Sequence, residues 1–173
     1  AGKFNVTMGL ALRQTPLFNL LDNLLGMIQN TGRFRSLKDK GQPAYYCRDL
    51  ERVLSHPWTG ILAGNEKALT SVLEEIRKSN RIFIPATLAG KLLGQHGSKD
   101  LAELLLPHAQ GVPEVISFLS KLIMAMREQM ISLRKENSYD FTIELEYLFR
   151  FSRLLQRLEG LVQAFGTVKD LKT

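Results

Sequence analysis

Residues 147–165 read YLFRFSRLLQRLEGLVQAF. Tyr147, Phe151, Leu154, Leu158, Leu161 and Phe165 recur there at intervals of 4-3-4-3-4, with Leu148, Leu155 and Val162 beside them. Intervals alternating between three and four residues keep side chains on one face of a 3.6-residue turn, so the stretch is predicted to be a helix with a wide apolar stripe. Residues 113–133, PEVISFLSKLIMAMREQMISL, repeat the scheme: Val115, Leu119, Leu122, Met126 and Leu133 form one seam, flanked by Ile116, Ile123 and Met130 seven residues apart. The intervening Lys135–Asp140 is short enough to force the two helices antiparallel. Each helix would run about 20 to 25 residues, or roughly 30 to 38 Å.

The same periodicity governs the rest of the chain. Thr15 is an N-cap candidate with Pro16 at the first helical position, followed by Leu17, Leu20, Leu21, Leu24 and Ile28, until Gly32 opens a loop. A second helix is expected from Pro43, with Tyr46, Cys47, Leu50, Val53 and Leu54 as its apolar stripe and Pro57 as its end. Asn65 caps a third, which turns Leu69, Val72, Leu73 and Ile76 inward. Ile82-Phe83-Ile84 has no visible partner strand and is read as a buried connector ahead of a helix begun by Pro85. Ser98 caps a short helix that Pro107 ends. With no long alternating strand pattern and no repeat of 30 to 45 residues, the fold class is all-α: a compact multi-helix bundle built on a C-terminal antiparallel hairpin.

Composition agrees with one domain over residues 1–173, whether the chain is whole or a piece of a longer protein. At 173 residues, 45% hydrophobic and 23% charged, it has the material for a single core. Lys and Arg exceed Asp and Glu by 23 to 17, for a net charge of +6, a bias toward anionic partners. The single cysteine, Cys47, fits a reducing compartment, so cytoplasm or nucleus is expected. No apolar run reaches the roughly 18 residues of a membrane span. No integral membrane segment is therefore expected.

Chemistry-bearing patterns are sparse. His56, His96 and His108 match no metal-ligand spacing and adjoin helix ends, where structural roles are common; no metal or cofactor is expected. Cys47 lies in an apolar stripe without an activating base, and the adjacent Glu74 and Glu75 diverge by about 100° on a helix. Gly90-Lys91-Leu92-Leu93-Gly94 lacks the Gly-Lys-Ser/Thr ending of a phosphate loop. A non-enzyme is expected.

Two classes of function remain open. The first is a protein-interaction module, an adaptor or assembly subunit that meets another protein or a second copy, with Phe118, Phe141 and Phe149 as contact candidates. The second is sequence-nonspecific nucleic-acid binding through residues 33–52, GRFRSLKDKGQPAYYCRDLER being the surrounding stretch, in which Arg33, Arg35, Lys38 and Lys40 occupy a loop. Tyr45, Arg48 and Arg52 would then share an exposed helical line at i, i+3 and i+7, and Arg150, Arg153 and Arg157 form a second basic line on the last helix. No helix is expected to combine a basic face with exposed large apolar residues, which argues against an anionic membrane surface.

Overall fold

The C-terminal hairpin is the longest part of the architecture. In the computed structural model, which describes residues 12–33, 43–96, 99–109, 111–137 and 140–169, the element order begins with a single 3-10 turn at Leu12–Gln14 and the helix α1 (Pro16–Arg33). There follow β1 (Ala44–Tyr46), α2 (Cys47–Leu54), α3 (Pro57–Ala63), α4 (Glu66–Lys78) and β2 (Phe83–Pro85). Then come α5 (Ala86–His96), α6 (Lys99–Leu105), α7 (Val112–Asn137) and α8 (Thr142–Lys169). The bundle is all-helical apart from one short ribbon, and α7 packs closely along α8.

Helices α1, α3 and α4 start where the sequence supplies a side-chain partner for the free first-turn amides. Thr15 Oγ1 accepts from the Phe18 amide at 3.2 Å and Pro16 takes the first position of α1. His56 Nδ1 accepts from the Trp58 amide and Pro57 opens α3, so the proline that ends α2 also begins the next helix. Asn65 Oδ1 caps α4 through the Ala68 amide, as its position predicts. Gly64 closes α3 in the left-handed region at φ 62°, where an added Cβ would also sit 3.3 Å from Gln129 of α7. The Ser98 cap expected for α6 lies outside the described residues.

The sequence reading fails at residues 43–46 and 82–85. Ala44–Tyr46 is a strand, paired antiparallel with Phe83–Pro85 in the register Tyr45 opposite Ile84. The ladder runs on at both ends: the Cys47 amide donates to the Ile82 carbonyl at 2.9 Å and the Ala86 amide to the Pro43 carbonyl at 3.0 Å. The first amides of α2 and α5 are thus satisfied by the opposite strand, and Tyr46, at the α2 N-cap, makes no side-chain cap bond. A three-residue strand has no readable period, and its partner is about forty residues away along the chain. Helix α2 accordingly begins at Cys47 rather than Pro43.

One core runs through the bundle. Leu17, Leu20, Leu24 and Met27 of α1 meet Leu50, Val53 and Leu54 of α2, while Leu119, Leu122, Ile123, Met126 and Met130 of α7 join Leu148, Phe151 and Leu155 of α8. Phe18 of α1 reaches Phe151 of α8, ring centroids 6.4 Å apart. Two buried polar groups tie α2 in place: Asp49 accepts from Asn30 Nδ2 of α1 at 2.6 Å, and Thr59 Oγ1 donates to the Val53 carbonyl at 2.7 Å. Tyr45 is fully buried and donates its hydroxyl to the Pro107 carbonyl at 3.3 Å; burial pushes its phenol far above the ordinary range.

Truncation of Tyr45 should therefore behave as a core substitution. Tyr45→Ala is expected to lose about 3–5 kcal/mol in urea unfolding, and Tyr45→Phe only about 0.5–1.5 kcal/mol for the lost hydroxyl bond. A Tyr45→Ala variant as stable as the parent chain would contradict this placement.

Candidate docking surface on the last helix

Helix α8 starts from a well-defined cap. The Asp140 carboxylate accepts from the Thr142 amide at 3.0 Å and from its hydroxyl, and these bonds hold its acidity below the usual carboxylate value. Glu146 and Arg150 pair one turn apart at 2.7 Å, as their i,i+4 spacing predicts. Along the first half of the helix the stripe turns inward: Leu148, Phe151 and Leu155 are buried and Tyr147 is half-buried.

From Leu154 onward the outer side of the stripe loses its cover, while Leu155 stays buried. Leu154, Leu158, Leu161 and Phe165 are 44%, 40%, 53% and 68% exposed, at the 4-3-4 spacing of a helix–helix seam. They extend over about 16 Å, or three turns. Isolated exposed leucines are ordinary on protein surfaces, but a contiguous row on one helix face is not.

Two hollows flank this row. On one side α8 stands apart from α1 over the N-terminal end of α7, leaving a groove of about 690 Å3 whose walls include Leu25 and Ile28 of α1, Val112 and Val115 of α7, and Leu158 and Val162 of α8. On the other side Leu12 and Leu154 line a shallower hollow of about 380 Å3 together with Arg150, Arg153 and Arg157. The three guanidinium groups are exposed. Arg150 is held by Glu146 and Arg153 lies over the Phe149 ring, 5.9 Å from its centroid. Among the described residues, neither Arg153 nor Arg157 has a carboxylate within ion-pair distance.

Other expected site residues are scattered. Phe149 is 54% exposed, whereas Phe118 and Phe141 are half-buried against the core. Phe118 lines a separate cavity of about 650 Å3 between α5, α6 and α7, with Asp100, Glu103, His108, Glu114, Ser117 and Lys121 at its polar positions. Among the described residues no group of three or more His, Cys, Asp or Glu could hold a metal ion, and no helix is long and apolar enough to cross a membrane. Met126 and Met130 are core residues, while Met124 faces outward.

The first basic line changes most. Tyr45 leaves it, because the extended backbone at 44–46 sends that ring into the core and brings Tyr46 against Phe83, centroids 5.9 Å apart. Arg48 and Arg52 are exposed on α2. Arg33 ends α1, and Arg35, Lys38 and Lys40 lie outside the described residues. Helix α2 packs chiefly on α1, β1, α3 and α4, and α8 on α7, so the two basic lines belong to different packing groups.

Sequence reasoning missed the open face itself. Spacing places Leu154, Leu158, Leu161 and Phe165 on the apolar stripe without showing which of them are covered, and the expectation that no helix joins a basic face to exposed large apolar residues fails on α8. The available signal was the 4-3-4 spacing continuing beyond Leu155 to Phe165. No protein-family model, no curated protein and no solved structure matches this chain.

Cys47 is half-exposed rather than interior. Partial burial raises its thiol above the usual range, helped by Glu51 and opposed by Arg77 and Arg48, and Glu51 is itself paired with Arg77 at 2.8 Å. Since the thiolate is the reactive form, a raised value means slower alkylation than a free thiol at the same pH. Glu51→Gln removes the acidic contribution and leaves both arginines, so iodoacetamide labelling at pH about 8 is expected to accelerate. An unchanged or slower rate would contradict that electrostatic assignment.

Proposed function

We propose that the protein is a non-catalytic helical interaction module that docks a protein partner on the open face of α8 and its adjoining groove. The observation that carries this reading is the row of Leu154, Leu158, Leu161 and Phe165, left exposed at seam spacing beside an apolar concavity. Burying about 25 cal/mol per Å2 of such surface is the ordinary driving force of association. Side chains that stay 40–68% exposed in the folded chain contribute little to folding, so this face is separable from stability.

The double variant Leu158→Asp, Leu161→Asp should therefore keep its helical circular dichroism and unfold within about 1 kcal/mol of the parent. A photo-crosslinking residue at position 161 should give a discrete protein adduct in native extract, and one at the exposed Ser55 should not. Unfolding of the double variant, or identical labelling from both positions, would remove the docking assignment.

A second reading, single-stranded nucleic-acid binding, is favoured by the β-ribbon. The Tyr46–Phe83 ring pair offers a stacking surface, and the exposed Arg48 and Arg81 each lie two residues from one of the rings. Arg48→Glu with Arg81→Glu should then weaken anisotropy-detected binding of single-stranded RNA and flatten its log–log salt slope by about 1 to 2. Equal slopes for the parent and the variant would eliminate this site.

A further inference from the structure

We infer that the occupant of the α8 face is an amphipathic helix of a partner protein whose flank is acidic. This rests on the docking reading above and adds the partner's chemistry. The apolar row is bordered along one edge by Arg150, Arg153 and Arg157, which line the hollow beside Leu154, and the last two have no carboxylate partner among the described residues. The opposite groove, toward α1, is apolar and carries no charged residue in its walls. A helix seated on the row thus meets cations on one side and hydrocarbon on the other, and acidic side chains along one flank complete the match.

The same geometry disfavours the other occupants. In an antiparallel pair of α8 helices, the arginine edge of one copy faces the arginine edge of the other. Parallel pairing sets those arginines against Leu155 and Val162, which are already turned toward the domain. A bilayer is flat on this scale and leaves the concavity against Leu25 and Ile28 unfilled.

The test uses the purified 173-residue chain and two synthetic peptides of about 18 residues, long enough to hold a helix, with identical Leu positions and either Glu or Lys on the flanks. Anisotropy at low salt is expected to show the Glu peptide binding about tenfold or more tightly, with the preference shrinking as salt rises. Arg153→Glu with Arg157→Glu should reverse the order; both positions are exposed, and circular dichroism checks the fold. Equal affinity for both peptides, abolished by Leu158→Asp, would overturn the acidic partner and leave the docking face standing. Self-association abolished by Leu158→Asp, with neither peptide bound, would instead assign the face to a second copy. Displacement of the Glu peptide by phosphatidylserine vesicles, or no binding of any kind, would overturn both the inference and the docking reading.

Discussion

An amphipathic helix is held in a fold by whatever covers its apolar stripe, and α8 is covered for only part of its length. Leu148, Phe151 and Leu155 are buried in the core shared with α7, while Leu158, Leu161 and Phe165 continue the stripe into the open. Propensity alone does not fix such a helix; tertiary cover supplies most of its stability. The extent of that cover determines which residues of α8 belong to the domain and which remain for something else.

The other elements fit around the hairpin. Helix α1 reaches α8 through the Phe18–Phe151 contact near its own start, and toward its C-terminal half it borders the open groove with Leu25 and Ile28. The ribbon of β1 and β2 sets the starting points of α2 and α5 by pairing their first amides, and the buried Tyr45 links it to Pro107, just ahead of α7. A chain with no recognisable catalytic pattern is thereby given two distinct surfaces, an apolar face edged with arginine on α8 and an aromatic–cationic ribbon beside α2. The first adjoins a concave apolar groove of about 690 Å3.

Much of the fold was legible in the sequence because helical periodicity is a local signal. The two long helices, the Thr15 and Asn65 caps and the Glu146–Arg150 pair all follow from spacing and residue type, although α7 runs on to Asn137, past the expected start of the connection at Lys135. What failed depends on partners distant in sequence. A helix begun at Pro43 would put Tyr45 on a solvent-facing line, and only Ile84 across the ladder shows that the backbone there is extended. For Leu158 and Leu161, periodicity marks an apolar face without saying whether a neighbour reaches it, and here none covers it fully. Phe149 sits on the outside as a contact candidate, but under Arg153, an arrangement that position in the sequence does not disclose.

Amide hydrogen exchange along α8, in the isolated chain at low concentration, bears most directly on this picture. Amides from Leu148 to Leu155, backed by core side chains, should be protected nearly to the level of global unfolding, and those from Leu158 to Phe165 should exchange orders of magnitude faster. Uniform strong protection through Phe165 would mean that the face is already covered within the chain, contradicting the claim that it stands open for a partner.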